Sequence, residues 1–121
     1  MWAEIAPRLA REYTVICADL RGYGASEKPR GSESYSFRAM GSDQLALMSH
    51  LGFEKFHLVG HDRGARVSHR VALDAAARIK SLTIMDIVPT HVLLNELSKE
   101  VARDYYHWLF LAQPELSLIH I

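Results

Sequence analysis

An α/β fold, a parallel sheet with helices on its flanks, is predicted by three features of this chain. Short apolar runs of strand length alternate with longer segments of helical periodicity. A sharp strand-to-helix turn is framed by Gly60 and Gly64. The small residues Gly64, Ala65, Ser68 and Ala72 recur along the following segment, where a helix would press against a sheet.

Taken in order, the first strand is expected in "TVICA" (14–18), an apolar run rich in β-branched residues. A charged, Gly- and Ser-containing loop follows over 22–34, and Asp19 and Arg21 at its start read as a local pair that holds it. The first helix is expected over 36–53, where Phe37, Met40, Leu45, Met48 and Leu51 fall at helical spacing. "FHLVG" (56–60) is the second strand, residues 63–78 the second helix and "SLTIMD" (81–86) the third strand. Strands that alternate with helices in this way pair in parallel, because each crossover returns the chain to the same end of the sheet.

After Pro89 the stretch "HVLLNELSKEVARDYYHWLFLAQP" is largely helical and does not return to a strand, which suggests the start of a helical lid. The expected organisation is therefore an α/β core over 1–88, the start of a cap over 89–115 and a non-native tail over 116–121. The last six residues, "LSLIHI", read as the translation of a sequencing adapter. Three parallel strands with open edges make a poor core, so the sequence reads as a fragment of a longer parent.

Composition narrows the function classes. The chain has 121 residues, 14 Lys and Arg against 14 Asp and Glu, and 49% hydrophobic residues, which is the balance of a soluble globular protein. Zero net charge argues against nucleic acid or an anionic membrane as partner, since either selects a basic face. No apolar run reaches the roughly 18 residues of a spanning helix, and Glu4 and Arg8 stand where a signal peptide would be apolar, so the expected location is the cytoplasm. Cys17, the single cysteine, reads as a buried strand thiol, and neither a disulfide nor a cysteine-based metal site can form within the chain. No cofactor or metal is expected. "GYGASE" lacks the third glycine and the helix start of a dinucleotide-binding turn.

The chemistry concentrates in "VGHDRGARVSHR". A carboxylate at the tip of a tight turn between strand and helix is held out of the sheet plane, close to the positive end of the helix, and tends to stay ionised. The pattern is that of a nucleophile elbow with Asp62 in the nucleophile's place. Arg63 and Arg66 follow in the first helical turn, where the helix dipole would favour negative side chains. Two guanidinium groups three residues apart beside a helix start make a site for a small anion.

The elbow "GHDRGARV", the loop "DLRGYGASEKP", the segment "MDIVPT" and the lid motif "YYHW" together resemble the α/β-hydrolase superfamily, and within it the haloacetate dehalogenases, over nearly the whole chain. The resemblance implies a partial α/β-hydrolase fold and a small anionic organic acid and water as the reaction partners. It implies Asp62 as the nucleophile that displaces halide and forms an ester, and Asp86 as the acid that orients a water-activating histidine. It further implies Arg63 and Arg66 as the clamp on the substrate carboxylate, with His107 and Trp108 as the halide pocket. None of the seven histidines matches the position of the family's catalytic histidine, nor does the chain hold its oxyanion loop, so the fragment is expected to be inactive, and a homodimer of the parent stays open.

Plainer readings compete at each position. Asp62 could be a helix N-cap, the arginines a surface pair, Asp86 a cap at a strand end, and "YYHWLF" a buried aromatic stripe. Two other functions compete as well. An epoxide hydrolase would use the same acid and histidine with Tyr105 and Tyr106 as proton donors, and a binding protein could keep the fold without the chemistry.

Overall fold

The computed structural model describes residues 1–106. Its elements run α1 (Ala6–Leu9), a 3₁₀ turn (Ser32–Tyr35), α2 (Phe37–His50), β1 (Phe56–His61), α3 (Arg63–Asp74), a 3₁₀ turn (Ala76–Arg78), β2 (Ile79–Met85), α4 (Thr90–Asn95) and α5 (Lys99–Asp104). The chain divides into two compact units, Met1–Ile87 and a second that starts at Val88.

In the first unit, β1 and β2 pair in parallel, with Leu58 opposite Leu82 and His61 opposite Met85. Helix α3 is the crossover between them and lies against both strands, and α2 packs on α3. Met40, Val67 and Val71 are the buried centre, and Phe37, Leu45, Leu58 and Ile79 close around it. Gly41 fixes how near the two helices come, since a Cβ there would lie 2.8 Å from Val71 Cγ2.

The ends of α2 follow from local chemistry. Ser36 Oγ accepts a hydrogen bond from the Ala39 N–H at 3.2 Å, which satisfies one of the donors a helix start leaves open. At the other end Gly52 adopts φ +82°, and the N–H groups of Gly52 and Phe53 return to Ser49 O (3.0 Å) and Met48 O (2.8 Å). That pair of reversed bonds is a Schellman stop, which only a residue tolerant of positive φ closes at low cost.

Four expectations are corrected. Residues 14–18 do not form a strand, and Cys17 is exposed rather than buried. A strand exists through its ladder, and the described sheet contains only β1 and β2, so "TVICA" has β propensity with no ladder to join. The second helix ends at Asp74, not at residue 78. Ala75 leaves the helical region (φ −141°, ψ 45°), one 3₁₀ turn follows, and β2 begins at Ile79, two residues earlier than expected.

Arg21 pairs with Asp43 of α2, not with Asp19. Its Nε and Nη2 donate to the two carboxylate oxygens at 2.6 and 2.5 Å, and Nη1 donates to Ser34 O at 2.9 Å. This bidentate contact ties the loop to the helix and raises the Arg21 pKa further, chiefly through the hydrogen bond to Asp43. Finally, crowding at the elbow involves only one of its two glycines. A Cβ on Gly60 would meet Gly64 O at 2.6 Å, Ser68 Oγ at 2.6 Å and Ala65 Cα at 2.7 Å, whereas one on Gly64 meets nothing within 4 Å.

The second unit contains α4, with Leu93 buried, and α5, whose start is capped by Ser98 Oγ accepting from the Val101 N–H at 3.2 Å. No helix among the described residues is long and apolar enough to cross a membrane.

Candidate active site

Both strands end in an aspartate, and both aspartates have a left-handed backbone: φ is 49° at Asp62 and 60° at Asp86. Neither is glycine, so each such conformation costs about 1–3 kcal/mol that the surrounding structure must offset. At Asp62 the offset is visible. Its N–H donates to Met85 O at 3.1 Å, extending the ladder one residue past β1, and its carbonyl accepts from the N–H groups of Ala65 (3.0 Å) and Arg66 (3.2 Å) to start α3. The chain thus reverses from strand to helix at a single residue, and Gly60 provides the room beneath it.

Asp62 occupies the N-cap position of α3, yet its side chain makes no capping hydrogen bond. Its ψ of −117° departs from the β-region backbone from which capping residues reach back to the helix. The residue is exposed, so its carboxylate stands at the carboxyl end of the sheet, where open α/β folds bind ligands.

Arg63 and Arg66 differ in setting from the other arginines near the sheet. Arg66 is 8% exposed on the first turn of α3. The Arg63 guanidinium lies over the Phe37 ring, with Cζ 5.9 Å from the centroid, and its Nε–H is buried without an acceptor among the described residues. Arg66 is buried and Arg63 half-buried.

Asp86, just beyond β2, is open to solvent and has His61 Nε2 3.4 Å from its Oδ2. The parallel register brings this pair together, since His61 is opposite Met85. Nothing in the sequence reading pairs His61 with Asp86. The signal was available: two adjacent parallel strands each end one residue before an Asp. Phe37 was read only as a helix-face apolar residue. His107 and Trp108 lie outside the described residues.

Two cavities, of about 530 and 360 Å³, lie elsewhere. One is bordered by Ile5, Leu9 and Glu12, the other by Asp19, Arg21, Glu27 and Asp43, and neither is lined by Asp62 or Arg63. Among the described residues no cluster of three or more His, Cys, Asp or Glu side chains converges as a metal site would require.

The model of the alpha/beta hydrolase fold matches residues 1–111. The chain belongs to the alpha/beta hydrolase family. Its relatives within the family include a fluoroacetate dehalogenase from Burkholderia sp, 61% identical over 117 residues that cover 94% of this chain and 38% of that protein. A soluble epoxide hydrolase from Corynebacterium sp. (strain C12) is 41% identical over 88 residues, 73% of this chain and 30% of that one. Among solved structures, a protein from Nostoc sp PCC 7120 described provisionally as an alpha/beta hydrolase superposes with a TM-score of 0.86 at 51% identity, covering 94% of this chain and 40% of its own. The chain thus spans well under half the length of the relatives it matches.

Proposed function

We propose that the whole protein hydrolyses a small 2-haloacid such as fluoroacetate, in the cytoplasm, through an ester on Asp62. The observation that carries this reading is the Arg63 guanidinium beside the elbow, which has a buried Nε–H and no acceptor within the described residues. A buried donor without a partner is costly, by about 1–3 kcal/mol, and the acceptor that removes this cost while complementing the charge is an anion. The identity to a fluoroacetate dehalogenase supports the same substrate class.

In the proposed cycle, Arg63 and Arg66 hold the substrate carboxylate and so present its α-carbon to Asp62. An Asp62 oxygen attacks that carbon, the carbon–halogen bond breaks with its electron pair leaving on the halide, and an ester of glycolate forms on the Asp62 carboxyl. Water then attacks the ester carbonyl; glycolate leaves, the carboxylate is restored and one proton is released. A histidine would take the proton from that water with Asp86 orienting it, and the Arg63 N–H would stabilise the oxyanion. His107 and Trp108 are proposed to donate hydrogen bonds to the departing halide, an interaction useful to the extent that it strengthens as charge develops.

The deciding experiment uses the whole protein with its water-activating histidine replaced, so that hydrolysis stops at the ester. Incubation with fluoroacetate should release one fluoride per protein and add one carboxymethyl group to the peptide that contains Asp62. Replacement of Asp62 by Asn should abolish both. Absence of fluoride and adduct together would reject the reading, and would also be the result expected of a binding protein without chemistry.

A second reading, epoxide hydrolysis, is favoured by the 41% identical soluble epoxide hydrolase. A neutral epoxide, however, offers Arg63 an acceptor oxygen but no charge to complement the guanidinium. Diol formation from a simple epoxide without fluoride release from fluoroacetate would establish it instead.

A further inference from the structure

We propose that Phe37 is a positioning residue for Arg63: its ring face holds the guanidinium in place without neutralising it, and so preserves a cation for the ligand's carboxylate. The inference rests on the haloacid reading above.

A guanidinium that stays ordered needs something to lie against. Arg21 uses Asp43, Arg70 uses Asp74, and Arg78 uses carbonyl oxygens. Any carboxylate partner at the elbow would fix Arg63 equally well but would cancel its charge and occupy its donors. An aromatic face attracts a cation through the ring quadrupole and has no lone pair to accept a hydrogen bond in the ring plane. With Cζ 5.9 Å from the Phe37 centroid, Arg63 is within range of this attraction while its Nε–H remains without an acceptor among the described residues.

The fold fixes that ring. Phe37 is the first residue of α2, immediately after the Ser36 cap, and packs against the Met40, Val67 and Val71 core. Val67 is one helical turn beyond Arg63, so the contact that seats Phe37 and the contact it makes to Arg63 lie on one face of α3. Gly41, one turn along α2, permits the close approach of the helices that brings the ring within reach.

The test replaces Phe37 with ring-fluorinated phenylalanines, which keep nearly the same shape while progressively removing the ring's attraction for a cation. Fluoroacetate affinity and the Arg63 Nε–H resonance are followed by NMR. Affinity should fall stepwise, by about three- to tenfold at full fluorination, and the Arg63 resonance of the ligand-free protein should move along the same series. Phe37→Tyr, which keeps the π face, should retain affinity, and Phe37→Leu should lose it even where thermal unfolding shows the fold intact.

Constant affinity across the series, with the Arg63 resonance still responding to fluoroacetate, would show that the ring only fills space and would overturn the proposal. An Arg63 resonance indifferent to ring fluorination in the ligand-free protein would refute the contact itself. A wild-type protein in which fluoroacetate leaves Arg63 unmoved would overturn the haloacid reading and this inference with it.

Discussion

Arg63 and Arg78 sit at opposite ends of the same two strands and make the same first contact, a guanidinium over a phenylalanine ring at 5.9 and 5.6 Å. Their remaining surroundings differ completely. At the amino end of β2, Arg78 donates to Glu54 O (2.9 Å), Phe53 O (2.8 Å), Leu45 O (3.3 Å) and Ser49 Oγ (2.9 Å), closing the carbonyl end of α2 and the turn after it. Its position is fully accounted for by structure. At the carboxyl end of β1, Arg63 has the ring, and its Nε–H has no acceptor among the described residues. A buried donor left without a partner carries a folding cost, so its retention beside an exposed Asp62 points to an external acceptor. In the proposed site the same kind of side chain is thus a fastener at one end of the sheet and a receptor at the other.

The largest expected effect tests the turn that places the receptor. Gly60→Ala would drive a Cβ to 2.6 Å from Gly64 O, a backbone atom that cannot retreat without moving α3. We expect a loss of about 3 kcal/mol in urea unfolding. Gly64→Ala, with open space at its Cβ, should remain within about 0.5 kcal/mol of the wild type. Equal costs at both positions would mean that the elbow is not packed around Gly60.

Exchanging the two arginines for alanine should divide the effects cleanly. Arg78→Ala removes four hydrogen bonds and leaves carbonyls of α2 and its turn short of a donor, so stability should fall by about 2 kcal/mol with haloacetate affinity retained in the folded fraction. Arg63→Ala removes no hydrogen bond among the described residues and should cost stability about 1 kcal/mol at most, the scale of one ring contact. Its effect should fall instead on binding, by about ten- to a hundredfold as judged by calorimetric titration with fluoroacetate. If stability and affinity fell together for both variants, the contrast between fastener and receptor would fail.

How far this contrast could be read from the chain depends on the range of each interaction. The turn at Asp62 was legible because its signals are local: a strand, a glycine two residues before the turn, and the apolar periodicity of 36–53 and 56–60, which the structure realises as Phe37–His50 and Phe56–His61. The break after Asp74 was not legible, because "DAAARIK" has good helix formers throughout. What competes there is Arg78, held to the far end of α2 by contacts 24 to 33 residues away in sequence. "TVICA" failed as a strand for the reason that β propensity without a neighbouring ladder specifies little. Asp62, Arg63 and Arg66 could be named as candidates from spacing, and Asp86 from the family resemblance. That Arg63 would lie on Phe37, and that His61 would approach Asp86, depends on the spacing of α2 and α3 and on strand register, which only the assembled fold determines.

The smallest effect sharpens the contrast from the side of charge, at the C-terminal end of α3. Asp74 receives two hydrogen bonds from Arg70, one turn earlier, and this contact, more than the opposing effect of burial, lowers its pKa below the ordinary 3.8. A carboxylate whose folded pKa is depressed adds stability that is present above the unfolded value and disappears as pH falls through the folded one. Arg70→Ala and Asp74→Asn should therefore each be slightly less stable than the wild type near neutral pH, and the difference should vanish in acid below the Asp range. The pair is open to solvent, so added salt should shrink the difference as well. Arg63→Ala should show no such acid-dependent stability difference, because no carboxylate is paired with Arg63 among the described residues. A loss of stability in that variant that faded on acidification would reveal a hidden internal anion at Arg63, and the argument for an external one would end there.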